Sequence, residues 1–235
     1  MVDTQEQTAV VLEIIGAISE RIDEEKKHLT DLDSAIGDAD HGANLSRGFA
    51  AARDQTADMD DADPAEVVKT AGTALISEVG GASGPLYGGS IMSASTELAG
   101  GLDAESSVAF AEAYLEKVQD RGDARVGDKT MVDALVPAVH TFKKSIEEDD
   151  LPPLTALSKA VAAAERGVEF TVPLRAKKGR ASYLGWRSVG HQDPGATSTL
   201  FILEEILEVA SNHLEGEIDR DATSPTIPDE APEDE

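Results

Sequence analysis

The chain contains no cysteine, a single tryptophan and only 4% aromatic residues, and its 20 Lys and Arg are outnumbered by 46 Asp and Glu. The missing cysteine excludes a disulfide-stapled scaffold and every Cys-ligated metal centre. A formal net charge of -26 repels nucleic-acid phosphates and anionic membranes. Without a compact basic patch, counterion release contributes nothing, so no nucleic acid and no membrane is expected as a partner. No stretch approaches the roughly 20 apolar residues that a membrane span requires. Residues 1–15 also lack a basic stretch followed by a cleavable apolar run, and a cytoplasmic location is expected.

What is there suffices for a fold. With 235 residues, 40% of them hydrophobic, one domain can bury most of its apolar surface unaided. Residues 1–214 read as that domain. Residues 215–235 turn to Asp, Glu, Pro, Ser and Thr and read as a mobile acidic tail. The tail carries nine acids and one base, which leaves a net charge of -18 on the first 214 residues. So even an acidity, with only ten Lys, suggests a halophilic protein kept soluble by hydrated carboxylates.

Val11, Ile14, Ile15, Ile18 and Ile22 recur at helical spacing and predict a first helix over residues 6–28. The same period predicts helices near 44–58, 64–79, 106–121, 129–147, 152–171 and 196–214. A weaker Ala- and Ser-rich stretch from Leu86 to Leu98 makes eight. Pro64 and Pro152 mark helix starts. Nowhere does alternation persist long enough for a sheet, and the class is all-α.

The inter-helix segments are rich in Gly, which backbone-lined sites need more than bundle connectors do. Between Asp33 and Asn44 stand three carboxylates and His41, in a segment expected to be a loop. Acid oxygens select hard ions, and three of them leave positions open for water and phosphate, as for Mg²⁺ on a nucleotide. An EF-hand fails, because its sixth and twelfth positions from Asp33 would be Asp38 and Asn44. The bland alternative makes these acids turn and N-cap residues. Gly80–Ser90 offers bare amides at a helix start, suited to phosphate or simply to a tight helix contact. Lys177–Ala196 is expected to form a basic hairpin, fit either for an anion or acidic partner or for a structural crossover. Gly127-Asp128-Lys129-Thr130-Met131 opens a further helix.

Taken together, Gly37-Asp38-Ala39-Asp40-His41-Gly42-Ala43-Asn44, Gly80-Gly81-Ala82-Ser83-Gly84-Pro85-Leu86, Gly127-Asp128-Lys129-Thr130-Met131, Gly179-Arg180-Ala181-Ser182-Tyr183-Leu184-Gly185 and Gly190-His191-Gln192-Asp193-Pro194-Gly195-Ala196 resemble the nucleotide-binding L subunit of dihydroxyacetone kinase. The likeness covers roughly residues 6–212 and keeps the family's motif order. Trp186 departs from it, standing where the family carries Glu.

The resemblance implies an eight-helix antiparallel up-and-down barrel holding ADP or ATP at one end through two Mg²⁺ ions. Asp33, Asp38 and Asp40 would be the metal ligands. His41, Gly42, Ala43, Asn44, Ala82 and Ser83 would cradle the phosphates, Gly122 and Met131 would border the adenine, and Arg180 with Asp193, Pro194 and Gly195 would close over the nucleotide. No catalytic base or nucleophile is implied, since phosphoryl transfer rests on positioning and electrostatics. The implied partners are a dihydroxyacetone-binding K subunit and a phosphohistidine donor protein, the M subunit, with homodimerisation left open. The alternatives are an ATP-dependent glycerone kinase domain, an ADP-bound regulator docking a transcription factor, and a plain helical scaffold.

Overall fold

A computed structural model describes residues 4–220. The stripe Val11, Ile15, Ile18 and Ile22 becomes the buried face of α1 (Thr4–Glu24). There follow α2 (Lys26–Ile36), α3 (His41–Thr56), α4 (Pro64–Glu78) and α5 (Gly89–Ala94), the last entered by a π-turn at Gly84–Gly88 and left by a 3-10 turn at Ser95–Leu98. Then come α6 (Ala104–Gly122), α7 (Val132–Glu147), α8 (Pro153–Thr171), a 3-10 segment at Arg180–Ser188 and α9 (Pro194–Ala210). The described residues contain no strand.

Helices α1, α3, α4, α5, α6, α7, α8 and α9 each pack on the next, and α9 returns to α1. This closes a ring of eight, the number that the periodicity predicts. Neighbours run antiparallel. Glu13 of α1 meets His213 just past α9 at 3.1 Å, while Arg21 meets Glu204 at 3.6 Å. Likewise Lys143 of α7 reaches back to Glu112 of α6 at 2.7 Å. No helix among the described residues is long and apolar enough to cross a membrane.

The main core joins α1, α3, α4, α6 and α7 through Ile22, Leu45, Leu75, Val118 and Val132, each such side chain stabilising the fold by about 1.5–3 kcal/mol. A second core between α7, α8 and α9 is built largely from Ala134, Ala138, Ala160, Ala164 and Ala196, whose small side chains let these helices approach closely. Pro64 opens α4 as expected, and Pro152 stands one residue ahead of α8.

Helix α2 is the addition. Residues 33–36, expected in a loop, form its last turn, and it lies outside the ring against α3, α9 and the 3-10 segment. The start of the expected tail also differs from expectation. Glu215–Asp219 runs along α8, where the Thr155 hydroxyl donates to the Glu217 carbonyl (2.9 Å) and Ser158 to that of Asp219 (2.9 Å). Lys159 adds an ion pair to Asp219 at 2.8 Å. Residues 221–235 of that tail lie outside the described residues.

Because the ring alternates in direction, α3, α5, α7 and α9 all begin at one end. Their amide-bearing N-termini, which favour anions, therefore share that end with the Gly-rich segments.

Candidate functional site

The end of α2 supplies the first acid. Asp33 is buried, and its Oδ2 accepts hydrogen bonds from the amides of Asp40 (2.9 Å) and His41 (3.2 Å). It thus caps α3 from a neighbouring helix, so for this residue the capping alternative holds in part. Its other oxygen sits only 1.9 Å from where a Cβ on Gly37 would stand, which is why position 37 must be glycine. Between Asp38 and Asp40 the chain turns through Ala39 at φ 62, a left-handed conformation costing an L residue about 1–2 kcal/mol. Strain of this kind collects where a fold is shaped for a ligand.

The outcome is convergence. One oxygen from each of Asp33, Asp38 and Asp40 lies within 4.8 Å of the others. Asp40 occupies the N-cap position of α3 but makes no side-chain capping bond. Its carboxylate and that of Asp38 are exposed, and Arg180 reaches Asp38 with Nε 2.6 Å from Oδ2. Three mutually repelling acids with open positions match the donor set of a hard divalent cation.

Behind them lies a buried polar chain that sequence reading missed. The His41 imidazole is 2.9 Å from the Ser198 hydroxyl, which is 2.8 Å from the Tyr87 hydroxyl, and Tyr87 donates to the Gly195 carbonyl at 3.2 Å. Burial lowers the His41 pKa against the pull of Asp33 and Asp40, and pushes Tyr87 up to about 12. This chain fastens α3, the π-turn and α9 together. Gly42, expected at the phosphates, also has a packing duty: a Cβ there would lie 2.2 Å from the Lys26 carbonyl of α2.

The other expected residues gather at the same end. Asn44 is buried beside Gly80, 3.3 Å from where a Cβ there would stand, and accepts from Arg47 at 2.8 Å. Ala82 is exposed and Ser83 half-buried just before the π-turn, while Ala43 is half-buried in the first turn of α3. Gly122 rests against Leu86, and Met131 is a buried core residue beside Gly195. Asp193 caps α9, its Oδ2 accepting from the Ala196 amide at 2.8 Å, with Pro194 in the first turn. Desolvation raises its carboxyl to about 7, although the bonds from Ala196 and Gly195 and the charge of Lys129 pull the other way.

The expected basic hairpin is a correction. Arg180–Ser188 is 3-10 helical, entered at Gly179 (φ 62) and kinked at Gly185 (φ 58). It carries Arg180 to the aspartates and leaves Tyr183 and Trp186 exposed. The motif that opens α7 contains Lys129 and runs on to Asp133, but its spacing assigned neither a role; both are buried. Asp133 accepts from the amides of Gly127 (2.6 Å) and Thr130 (2.8 Å) and so shapes the loop ahead of α7. Charged residues flanked by Gly127 and the apolar run of α7 were the available signal.

The DAK2 domain family matches residues 35–208, from the last two residues of α2 to just short of the end of α9, and so leaves out α1 and most of α2 with Asp33. The chain belongs to this family. It is 43% identical over 186 residues to the PEP-dependent dihydroxyacetone kinase, ADP-binding subunit DhaL, of Escherichia coli (strain K12), covering 77% of this chain and 86% of that one. The PTS-dependent counterpart of Lactococcus lactis is 38% identical over 201 residues, covering 85% and 96%. Mouse triokinase/FMN cyclase is 36% identical over 209 residues, but there the chain spans 35% of the relative.

Among solved structures, the native dihydroxyacetone kinase of C. freundii superposes with a TM-score of 0.62 at 27% identity, over 85% of this chain and 34% of that one. Its complex with AMP-PNP and Mg²⁺, 24% identical with a TM-score of 0.65 over the same shares, repeats the fold. The chain therefore corresponds to about a third of that kinase. The relatives named above are kinases and kinase subunits.

Proposed function

We propose that the chain is the ADP-binding subunit of a phosphoenolpyruvate-dependent dihydroxyacetone kinase. In this reading a phosphohistidine protein is the phosphoryl donor, and dihydroxyacetone held on a separate K subunit is the acceptor. The observation that carries the reading is the convergence of Asp33, Asp38 and Asp40 within 4.8 Å at the start of α3, with the Asp40 carboxylate left out of capping. Higher identity to bacterial ADP-binding subunits than to triokinases supports the phosphoprotein-dependent version over an ATP-dependent one.

The three aspartates would hold two Mg²⁺ ions, which supply charge neutralisation at the phosphate oxygens. The residues of the chain do the positioning. Asp33 keeps its geometry through the amides of Asp40 and His41, so within His41–Asn44 it is the Gly42 and Ala43 amides, together with Ala82–Ser83, that would be offered to phosphate. Arg180 adds a guanidinium over the same spot. Met131 and Gly122 wall the base side, and Asp193–Gly195 hold the start of α9 beneath the lid formed by Arg180–Ser188. No side chain is required as a base.

Native mass spectrometry of the purified protein tests the binding claim: a bound mass of ADP plus two Mg²⁺ supports it, and an empty protein after incubation with both rejects it. Mixing the chain with a K subunit, dihydroxyacetone and a phosphohistidine donor tests the activity. Phosphate on the triose supports the reading, and none with every component active removes it. Rapid exchange of the nucleotide with bulk ATP points instead to the ATP-dependent version. The acid excess is proposed to be a salt adaptation, and full folding of the purified protein without salt counts against that.

A further inference from the structure

The segment between α8 and α9 leaves the barrel at Thr171 and returns at Asp193, carrying Arg180 out to Asp38 on the way. It has little core of its own. Within Arg180–Ser188 only Ser188 is buried, while Tyr183 and Trp186 are 87% and 76% exposed. A segment so poor in apolar contacts takes its position from what grips its base.

The grip comes from the loop between α6 and α7. Lys178 pairs with Asp123 at 2.7 Å, and Lys177 donates to the Gly127 carbonyl at 2.8 Å and lies 3.4 Å from Asp128. Its backbone amide also donates to the Asp128 carbonyl at 3.0 Å. The innermost contact is Lys129, 1% exposed, held at φ 64 on that loop. Its ammonium donates to the Thr171 carbonyl at 2.8 Å and to the carbonyl of His191. One carbonyl ends α8 and the other stands two residues before the cap of α9, so this buried cation bridges both ends of the excursion, beside the bonds from the Gly190 amide to the Val172 carbonyl at 2.8 Å and from the Asp193 amide to the Thr171 hydroxyl at 3.0 Å. Burying an ammonium is expensive unless its hydrogen bonds are met, and here they are spent on the hinge of the lid.

We propose that Lys129 is a positioning residue that rivets the base of the 172–192 lid, fixing where Arg180 stands above the aspartates and thereby how long a nucleotide is retained. The last clause rests on the nucleotide-binding reading above. The first stands on the lid alone.

The experiment keeps the two apart. Lys129→Met removes the donor and keeps most of the volume, and Lys129→Gln retains a shorter donor. Without nucleotide, trypsin cleavage after Arg180 and Arg187 should run roughly tenfold faster in Lys129→Met and to an intermediate degree in Lys129→Gln. Trp186, the only tryptophan, should become more accessible to acrylamide. Circular dichroism selects folded variants, and Lys129→Gln decides if Lys129→Met does not fold. Unchanged lid cleavage and quenching in a folded variant overturns the rivet.

With Mg²⁺ and ADP, dissociation from Lys129→Met should accelerate roughly tenfold, and the double variant with Arg180→Ala should dissociate no faster than Arg180→Ala alone. Additive losses overturn action through Arg180. A wild-type protein that binds no Mg–ADP defeats the nucleotide reading, while the cleavage and quenching results still decide the rivet.

Discussion

At the end of the barrel away from the aspartates, the ring helices are joined by residues 57–63, 99–103 and 148–152, and Gln7, Asp103 and Ser106 there are spent on closure. Asp103 and Ser106 bond each other's amides in a reciprocal cap, at 2.8 and 2.9 Å. Gln7 of α1 both donates to the Leu102 carbonyl and accepts its amide. At the aspartate end the connections are longer, and Asp33, Asp38 and Asp40 converge there. Uncapped cap acids, left-handed residues and buried charges occur at both ends, as Asp63, Asp150 and Lys159 show at the far one, but among the described residues only at the aspartate end does such an acid, Asp40, stand with two others within 4.8 Å. The contrast separates two uses of the same residue types. An acid that satisfies a helix end contributes stability, and an acid withheld from that duty is available to a ligand.

Substituting the withheld acids should break this contrast most sharply. Asp40→Asn is expected to weaken Mg–ADP binding by roughly 100-fold or more, about 2.7 kcal/mol at 1.4 kcal/mol per decade, with an unchanged melting temperature. Calorimetric titration beside a thermal melt reads both, and a large fall in melting temperature would mean that the acid is structural after all. Gly37→Ala, which drives a Cβ into the Asp33 carboxylate, should cost roughly tenfold in the same titration by displacing a ligand without removing it.

The pH dependence of stability sharpens the contrast from another side. Burial raises the Asp193 carboxyl from an ordinary 3.8 to about 7, with Lys129 and Asp133 facing it. The native state then binds the proton more tightly than the unfolded chain. Its contribution to stability is therefore present at low pH, falls as pH rises between about 4 and 7, and is level above that. His41, with a lowered pKa, contributes in the opposite sense, so the informative quantity is the difference between wild type and Asp193→Asn in urea unfolding across that range. A flat difference contradicts the raised pKa. The smallest effect belongs to the far end: Asp103→Ala should cost about 1 kcal/mol of stability and leave Mg–ADP affinity where it was.

The ring was legible because its helices carry uninterrupted apolar stripes, as in Val11, Ile15, Ile18 and Ile22. Helix α2 was not, for a physical reason. Its buried positions are Leu29, Asp33 and Ile36, so the stripe at helical spacing is broken by the residue that serves the site. Function and pattern compete for one position, and the pattern loses. The motifs named Asp38, Asp40, Arg180 and Asp193 directly, since their local spacing survives in the sequence. They did not reveal the lid's 3-10 shape, which depends on the left-handed Gly179 and Gly185. Nor did they reveal the role of Lys129, whose partners lie 42 and 62 residues away and meet it only after the ring has closed.

Since α1 and α9 are antiparallel neighbours, the barrel's first turn and its last share the closed end, and Glu215–Asp219 departs there beside the start of α8. Both points of attachment thus face away from the mouth. A further domain spliced onto either one would hang behind the barrel without obstructing it, which suits a unit matching about a third of longer kinase chains.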